Sequence, residues 1–544
     1  MIITKAAKVA ALGFAAALAL TACGTPQSST TAAPSADGGD VATDSYILGT
    51  TDIPTRLDPA TSYDLPSWNL QYSGYEQLLR FDANSGTPTG DAAESCEYTD
   101  PKTVECKLRA GNKFANGHDL TSSDVKFSFE RNLLINEPDG ASILLASIAD
   151  NSGAEGQKLT EGAIETPDDL TVIFHLNRAD TTFTAVISSA ASSIVDEETY
   201  ALDRSLTDEE VLAANGSSGP LLLTGYTKGE QAVFEASESY TGTRASVAKS
   251  VYVQYFQSST ALRQAIEAAE VDVAWRTLSP TDLSDLASKD TVKVLDGQGS
   301  EYRYWVFRLQ NEVSGQKAVR QAIAQLIDRD SITQNVYDGI KNPAYSQVPP
   351  GFAGQKDSFK EKYGSPNVDA AKKILDDAGI ATPVAITLGF PPEHYGAEAV
   401  DEATELVKQL NDSGLFTAKQ ESAEWTQYQK LYKEGTYDLF LLGWYPDFLD
   451  ADNYLSPFLP SGGFMDAGYD NPEVNKLLDD ELAETDTATR NGILGQIQDI
   501  IAEDVPIIPS WNGKNTAVAL PEMNGVLETL DANYIFRMWA VSKG

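Results

Sequence analysis

The chain has 544 residues, 42% of them hydrophobic and 22% charged, a balance that excludes global disorder and leaves room for two to four domain-sized units. Its 40 Lys and Arg stand against 79 Asp and Glu, a formal net charge of −39, and such a surface repels nucleic-acid backbones, so no nucleic-acid partner is expected.

The first 22 residues carry Lys5 and Lys8, an apolar stretch from Val9 to Leu20 and then small residues, the three-part pattern of an export signal too short to span a bilayer. Residues 23–44 are rich in Ser, Thr, Ala, Pro and Gly without apolar periodicity, and read as a flexible tether. Cys96 and Cys106 flank Asp100-Pro101, a turn signal between strand-like runs. In an exported chain the pair is expected as a disulfide across a hairpin, with two free buried thiols as the alternative. His118, His175 and His394 show no ligand spacing, so no metal site is expected.

From Ser45 onward short apolar strands alternate with helical patterns, which argues for α/β layers. VDAAKKILDDAG predicts a helix with Val368, Ala371, Ile374 and Leu375 on one face, ending at Gly379. VAITLGF, residues 384–390, reads as a strand, and the next helix turns Val400, Ala403, Leu406, Val407 and Leu410 inward before Gly414. After the short helical pattern WTQYQKLYKEG comes the strand YDLFLLGW. Then DNPEVNKLLDDELAE predicts a helix capped by Asn471, with Pro472 at its first position. The order β, α, β, α, β with short connections predicts an open, mostly parallel sheet.

The apolar run Asp438–Leu442 has the character of a strand covered on both faces, and its carboxyl end runs into GWYPDFLDADN. Ligands of open α/β sheets bind beyond strand carboxyl ends, so this aromatic and acidic stretch is either a site or a solvated loop. Enzyme signatures are missing: GxSxG, HExxH, a P-loop and GxGxxG after a strand do not occur. Asp447, Asp450 and Asp452 offer paired carboxylates for an exported glycoside hydrolase, a weak indication in a chain with 79 acidic residues.

Separated stretches carry a resemblance. RLDPATSYD, YEQLLRFD, CKLRAGNKFANGHDLTSSDVKFSFER, VRQAIAQLIDRDSI, VPPGFAG, YDLFLLGWYPDFLDADNYLSPF and GYDNPEVNKLLDDELAETD occur in order between about residues 45 and 515. Together they resemble the extracytoplasmic solute-binding proteins of peptide-type ABC importers, the oligopeptide/dipeptide/nickel binding family. In the most specific block, Thr121 or Ser122 also reads as a helix cap, with Val125, Phe127 and Phe129 as packing residues. Leu20-Thr21-Ala22-Cys23 resembles a bacterial lipobox, which implies that Cys23 takes the lipid and anchors the chain on the extracytoplasmic face of the cell membrane.

The resemblance implies an α/β fold: a two-lobed, periplasmic-binding-protein-like clamshell with an extra subdomain on the first lobe. Lobe I is placed at 45–297, lobe II at 298–510, and 511–544 returns to lobe I, with crossovers near GQGSEYRYW and IIPSWNGKN. It further implies a monomeric, non-catalytic receptor without cofactor that closes on a short peptide and delivers it to a membrane permease. A nickel chelate, an oligosaccharide or an opine-like compound is the alternative solute.

In peptide-binding relatives an aspartate after Gly-Trp-x-x pairs with the ligand amine, and Gly443-Trp444-Tyr445-Pro446-Asp447 matches that spacing. Trp444, Tyr445 and Phe448, with Tyr63, Asp64 and Trp511, are further candidates for the cleft wall. Asp450, Asp452 and Asn453 are assigned to shaping the turn that follows. The sequence singles out no Arg or Lys for a ligand carboxylate.

Overall fold

The computed structural model describes residues 44–138, 140–150, 157–396, 398–460 and 463–544. The expected signal peptide, Cys23 and the tether up to residue 43 lie outside these residues. Among the described residues no helix is long and apolar enough to cross a membrane.

Two large sheets organise the chain. The first has seven strands in the order Leu221–Thr227, Gln231–Ala236, Ser250–Tyr255, Ser45–Thr50, Val273–Trp275, Asn515–Ala519 and Lys293–Gly297. The second has six, in the order Asn342–Pro343, Ile507–Asn512, Tyr302–Phe307, Leu439–Trp444, Val384–Phe390 and Phe416–Ser422. Each sheet has its own apolar core. The chain passes between the sheets from Gly297 to Tyr302 and again from Asn512 to Asn515. These crossovers lie side by side, because Gly297 pairs with Asn515, Tyr302 pairs with Asn512, and the Gly513 amide donates to the Glu301 carbonyl at 2.8 Å.

The expectation of a mostly parallel second sheet is corrected. Val384–Phe390 does run parallel to both of its neighbours, as short α-helical crossovers dictate. Tyr302–Phe307 runs antiparallel to both Leu439–Trp444 and Ile507–Asn512. Tyr302–Phe307 enters directly from the other sheet rather than through a helix, so the right-handed crossover rule does not set its direction.

Local chemistry explains the helix starts. Thr121 caps Ser122–Ile135 in a reciprocal capping box with Asp124. Asn367 accepts from the Ala370 amide, and Asn471 from those of Glu473 and Val474 ahead of Pro472. Two positions expected on inward faces, Val368 and Val400, are instead 45% and 38% exposed. Both stand in the first turn of their helices, where side chains lean toward the N-terminus and past the packed turns.

A smaller sheet, Ala93–Asp100, Thr103–Leu108, Thr171–His175 and Ile164–Asp168, holds the helix Ser122–Ile135 over a third core that contains Val125 and Phe129, while Phe127 is half-buried beside a separate cluster. Cys96 and Cys106 face each other in register across its first hairpin and are joined by a disulfide.

Candidate functional site between the two sheets

Leu439 to Leu442 are fully buried, each contributing about 1.5–3 kcal/mol of apolar burial. The run breaks at Gly443 for a steric reason. Gly443 pairs with Arg303 on the neighbouring strand, and a Cβ there would collide with the Arg303 guanidinium. Gly513 makes the same allowance for the Glu301 side chain. These two glycines therefore admit a buried ion pair, Arg303 to Glu301 at 2.7 Å, between the crossovers.

Glu301 also takes Lys341 at 2.9 Å and a hydrogen bond from Tyr445. Burial would raise the Glu301 carboxyl, but Lys341, Arg303 and Arg276 outweigh it and hold it at about 2. Arg276 donates through Nε to Asp52 at 2.9 Å and lies against the rings of Tyr445 and Tyr534 at 5.1 and 5.6 Å. Its desolvation is overcome by Asp52 and these neighbours, so the guanidinium stays charged. Arg276, Glu301, Lys341, Tyr445, Trp511 and Tyr534 line a cavity of about 490 Å³ that is walled by residues of both sheets. Lys514 and Glu398 complete its charged groups, giving three cations and two carboxylates in a chain that is acidic overall.

Beyond the Tyr445–Tyr534 pair, whose ring centroids are 5.1 Å apart, the next residues, Pro446, Asp447 and Asn533, border a small void. Asp447 is 9% exposed. It accepts from the Tyr63 hydroxyl at 2.7 Å and from Asn453 Nδ2 at 3.0 Å. No cation pairs with it among the described residues. Burial pushes its carboxyl up to about 6, and the bonds from Asn453 and Tyr63 pull only partly the other way. Asn453 Oδ1 accepts from both the Asp447 amide and Trp444 Nε1, so one amide side chain fixes the whole turn.

The structure thus brings Tyr63 to Asp447, and places Tyr445 and Trp511 in the cavity wall. The other candidates have structural work. Trp444 packs edge-on to Phe458 and steadies Asn453 from behind the turn. Phe448 packs into the core of the small sheet and also borders the small void beside Asp447. Asp64 is occupied as the N-cap of Leu65–Gly74, accepting from the Ser67 amide and hydroxyl. Asp450 caps the turn at Ala451–Tyr454 and takes both terminal nitrogens of Arg490 at 2.8 Å. Asp452 accepts from Ser456 within the same turn.

Arg276, Glu301, Arg303 and Lys341 escaped the sequence reading. A lone Arg at the carboxyl end of VDVAW and a Glu opening the apolar strand at Tyr302 were the available clues. A second cavity of about 830 Å³ lies against Thr181, Phe352, Leu449 and Arg490. Its cation is already spent on Asp450 and Glu481, which makes the smaller cavity the better seat for a charged ligand.

The family model of the bacterial extracellular solute-binding proteins, family 5 Middle, matches residues 87–466. The chain belongs to this family. It is 26% identical over 512 residues to the probable D,D-dipeptide-binding periplasmic protein DdpA of Escherichia coli (strain K12), covering 92% of this chain and 94% of that protein. It is 24% identical to the oligopeptide-binding protein OppA of Bacillus subtilis (strain 168), covering 89% and 90%. The solved structure of HbpA2 from Haemophilus parasuis superposes with a TM-score of 0.77 at 20% identity, over 92% of this chain and all of that one, which supports the two-lobed fold. Family 5 members bind solutes and are not enzymes.

Proposed function

We propose that this chain is the lipid-anchored receptor of an ABC importer, capturing short peptides between its lobes and handing them to a membrane permease. Lobe I is then 45–297 with 513–544 and lobe II is 298–512, two residues beyond the boundary read from the sequence because Trp511 and Asn512 pair within the second sheet, and the paired crossovers at Glu301 and Gly513 are the hinge. The observation that carries the reading is Asp447, a buried carboxylate held by two neutral donors and left without a cation. An ammonium ion supplies the missing partner and removes the cost of burying that charge alone. Binding of dipeptides and oligopeptides by the relatives named above agrees with it. Cys23 is the proposed site of the lipid, which keeps the receptor on the extracytoplasmic face of the membrane.

The test is titration calorimetry of the mature protein with an equimolar pool of di- to tetrapeptides. Free-amine peptides should bind, and N-acetylation or Asp447→Ala should weaken binding at least tenfold. Equal affinity for free and acetylated pools removes the role of Asp447. A nonpeptide solute retained in native mass spectra, together with no heat from any pool, removes the peptide reading. Growth with an alkyne-tagged fatty acid should label the wild-type chain and leave Cys23→Ser unlabelled.

A further inference from the structure

We propose that Arg276 and Thr277 form the seat for a carboxylate at the end of the ligand opposite its amine, an assignment that rests on the peptide reading and sharpens it. The strand Val273–Trp275 ends at the cavity, and the next two residues both take φ of +60°, a left-handed backbone that is costliest for the β-branched Thr277. The elbow is held in place: the Arg276 amide donates to the Thr516 carbonyl at 3.1 Å, and the Leu278 amide donates back to the Arg276 carbonyl at 2.9 Å. Its effect is to turn both side chains toward the same cavity, which both line.

Each brings an unused donor. Arg276 commits Nε to Asp52, and neither terminal nitrogen has a hydrogen-bond partner among the described residues. Thr277 Oγ1 is buried and likewise has no partner there. Buried polar groups are rarely left unpaired, and a guanidinium fork beside a hydroxyl fits a group that only accepts, with two oxygens. Of the other cations of the cavity, Lys341 is bound to Glu301 at 2.9 Å and lies over Trp511, while Lys514 donates to the Gly339 carbonyl at 3.4 Å and lies 3.5 Å from Asp296.

The amine and carboxylate ends are also bracketed in space. The Arg276 guanidinium lies 5.1 Å from the Tyr445 ring, and Tyr445 is two residues from Asp447.

The experiment compares three pools of tri- and tetrapeptides on the wild-type protein: free, C-terminally amidated and N-acetylated. Amidation should weaken binding at least thirtyfold. Arg276→Gln should weaken the free pool by a similar factor and abolish the preference for free over amidated peptides, and Thr277→Val should cost about threefold to tenfold in the same direction. Wild-type protein that binds free and amidated pools alike, while still rejecting the acetylated pool, overturns the carboxylate seat and leaves the peptide reading intact. No binding of any pool removes both. The wild-type comparison decides the matter even when a variant fails to fold.

Discussion

Glu301 and Asp447 are both buried carboxylates at the junction of the two lobes, yet their surroundings are opposite. Glu301 has Lys341 and Arg303 within 3 Å and is held at about 2, whereas Asp447 has only Tyr63 and Asn453 and is pushed up to about 6. A carboxylate that already has its cations contributes to the fold. One that lacks them is a cost to the empty protein, recovered when a cation arrives, and in the proposed reading that difference separates hinge from binding site.

Breaking the first half of the comparison should have the largest effect. Glu301→Gln leaves Lys341 and Arg303 buried without a counter-charge, and should destabilise the protein by about 3–5 kcal/mol, read from guanidinium unfolding. The same kind of change at Asp447 should have the opposite sign. Asp447→Asn keeps a carbonyl for Asn453 and an amide for the Tyr63 oxygen while removing the uncompensated charge, so it should stabilise the unliganded protein at pH 7 by on the order of 3 kcal/mol. The folded carboxyl is raised from 3.8 to about 6, so its protonated form favours the fold below pH 4 and that advantage is lost as pH rises through 6. The gap between variant and wild type should therefore open between pH 4 and 6 and stay level above. A gap that does not change with pH would show that Asp447 is not the group responsible.

Gly443 sharpens the contrast from the steric side. Gly443→Ala puts a methyl into the Arg303 guanidinium and should cost about 1–3 kcal/mol, with Arg303 displaced from Glu301. A melt unchanged from wild type would mean that the hinge pair tolerates displacement.

What was legible in the sequence follows the same division. Caps such as Asn471 and Thr121 act within three residues, so their chemistry lies in one short window. Asp447 was reached through its spacing from Gly443 and Trp444, which are chain neighbours. The hinge cluster was not, because its partners meet only after folding: Lys341 lies 40 residues from Glu301, and Arg276 lies 224 from Asp52. Phe448 shows the same limit, since nothing local reveals that its ring enters the core of the small sheet while bordering the void beside Asp447.

Tyr63→Phe should have the smallest effect and refines the Asp447 side of the comparison. It removes one neutral donor from the carboxylate and touches no cation, so the loss of stability should stay near 1 kcal/mol. The informative readout is the pH dependence of amine binding. An ammonium needs the ionised carboxylate, so wild-type affinity should rise with pH and level off above about 6. The Tyr63 bond lowers the Asp447 carboxyl, and without it the plateau should begin at higher pH. An affinity loss equal at every pH would instead make Tyr63 a simple contact between the lobes. A shift of the plateau would show that lobe I tunes the charge that lobe II presents, so that the amine is gripped fully only where the two lobes meet.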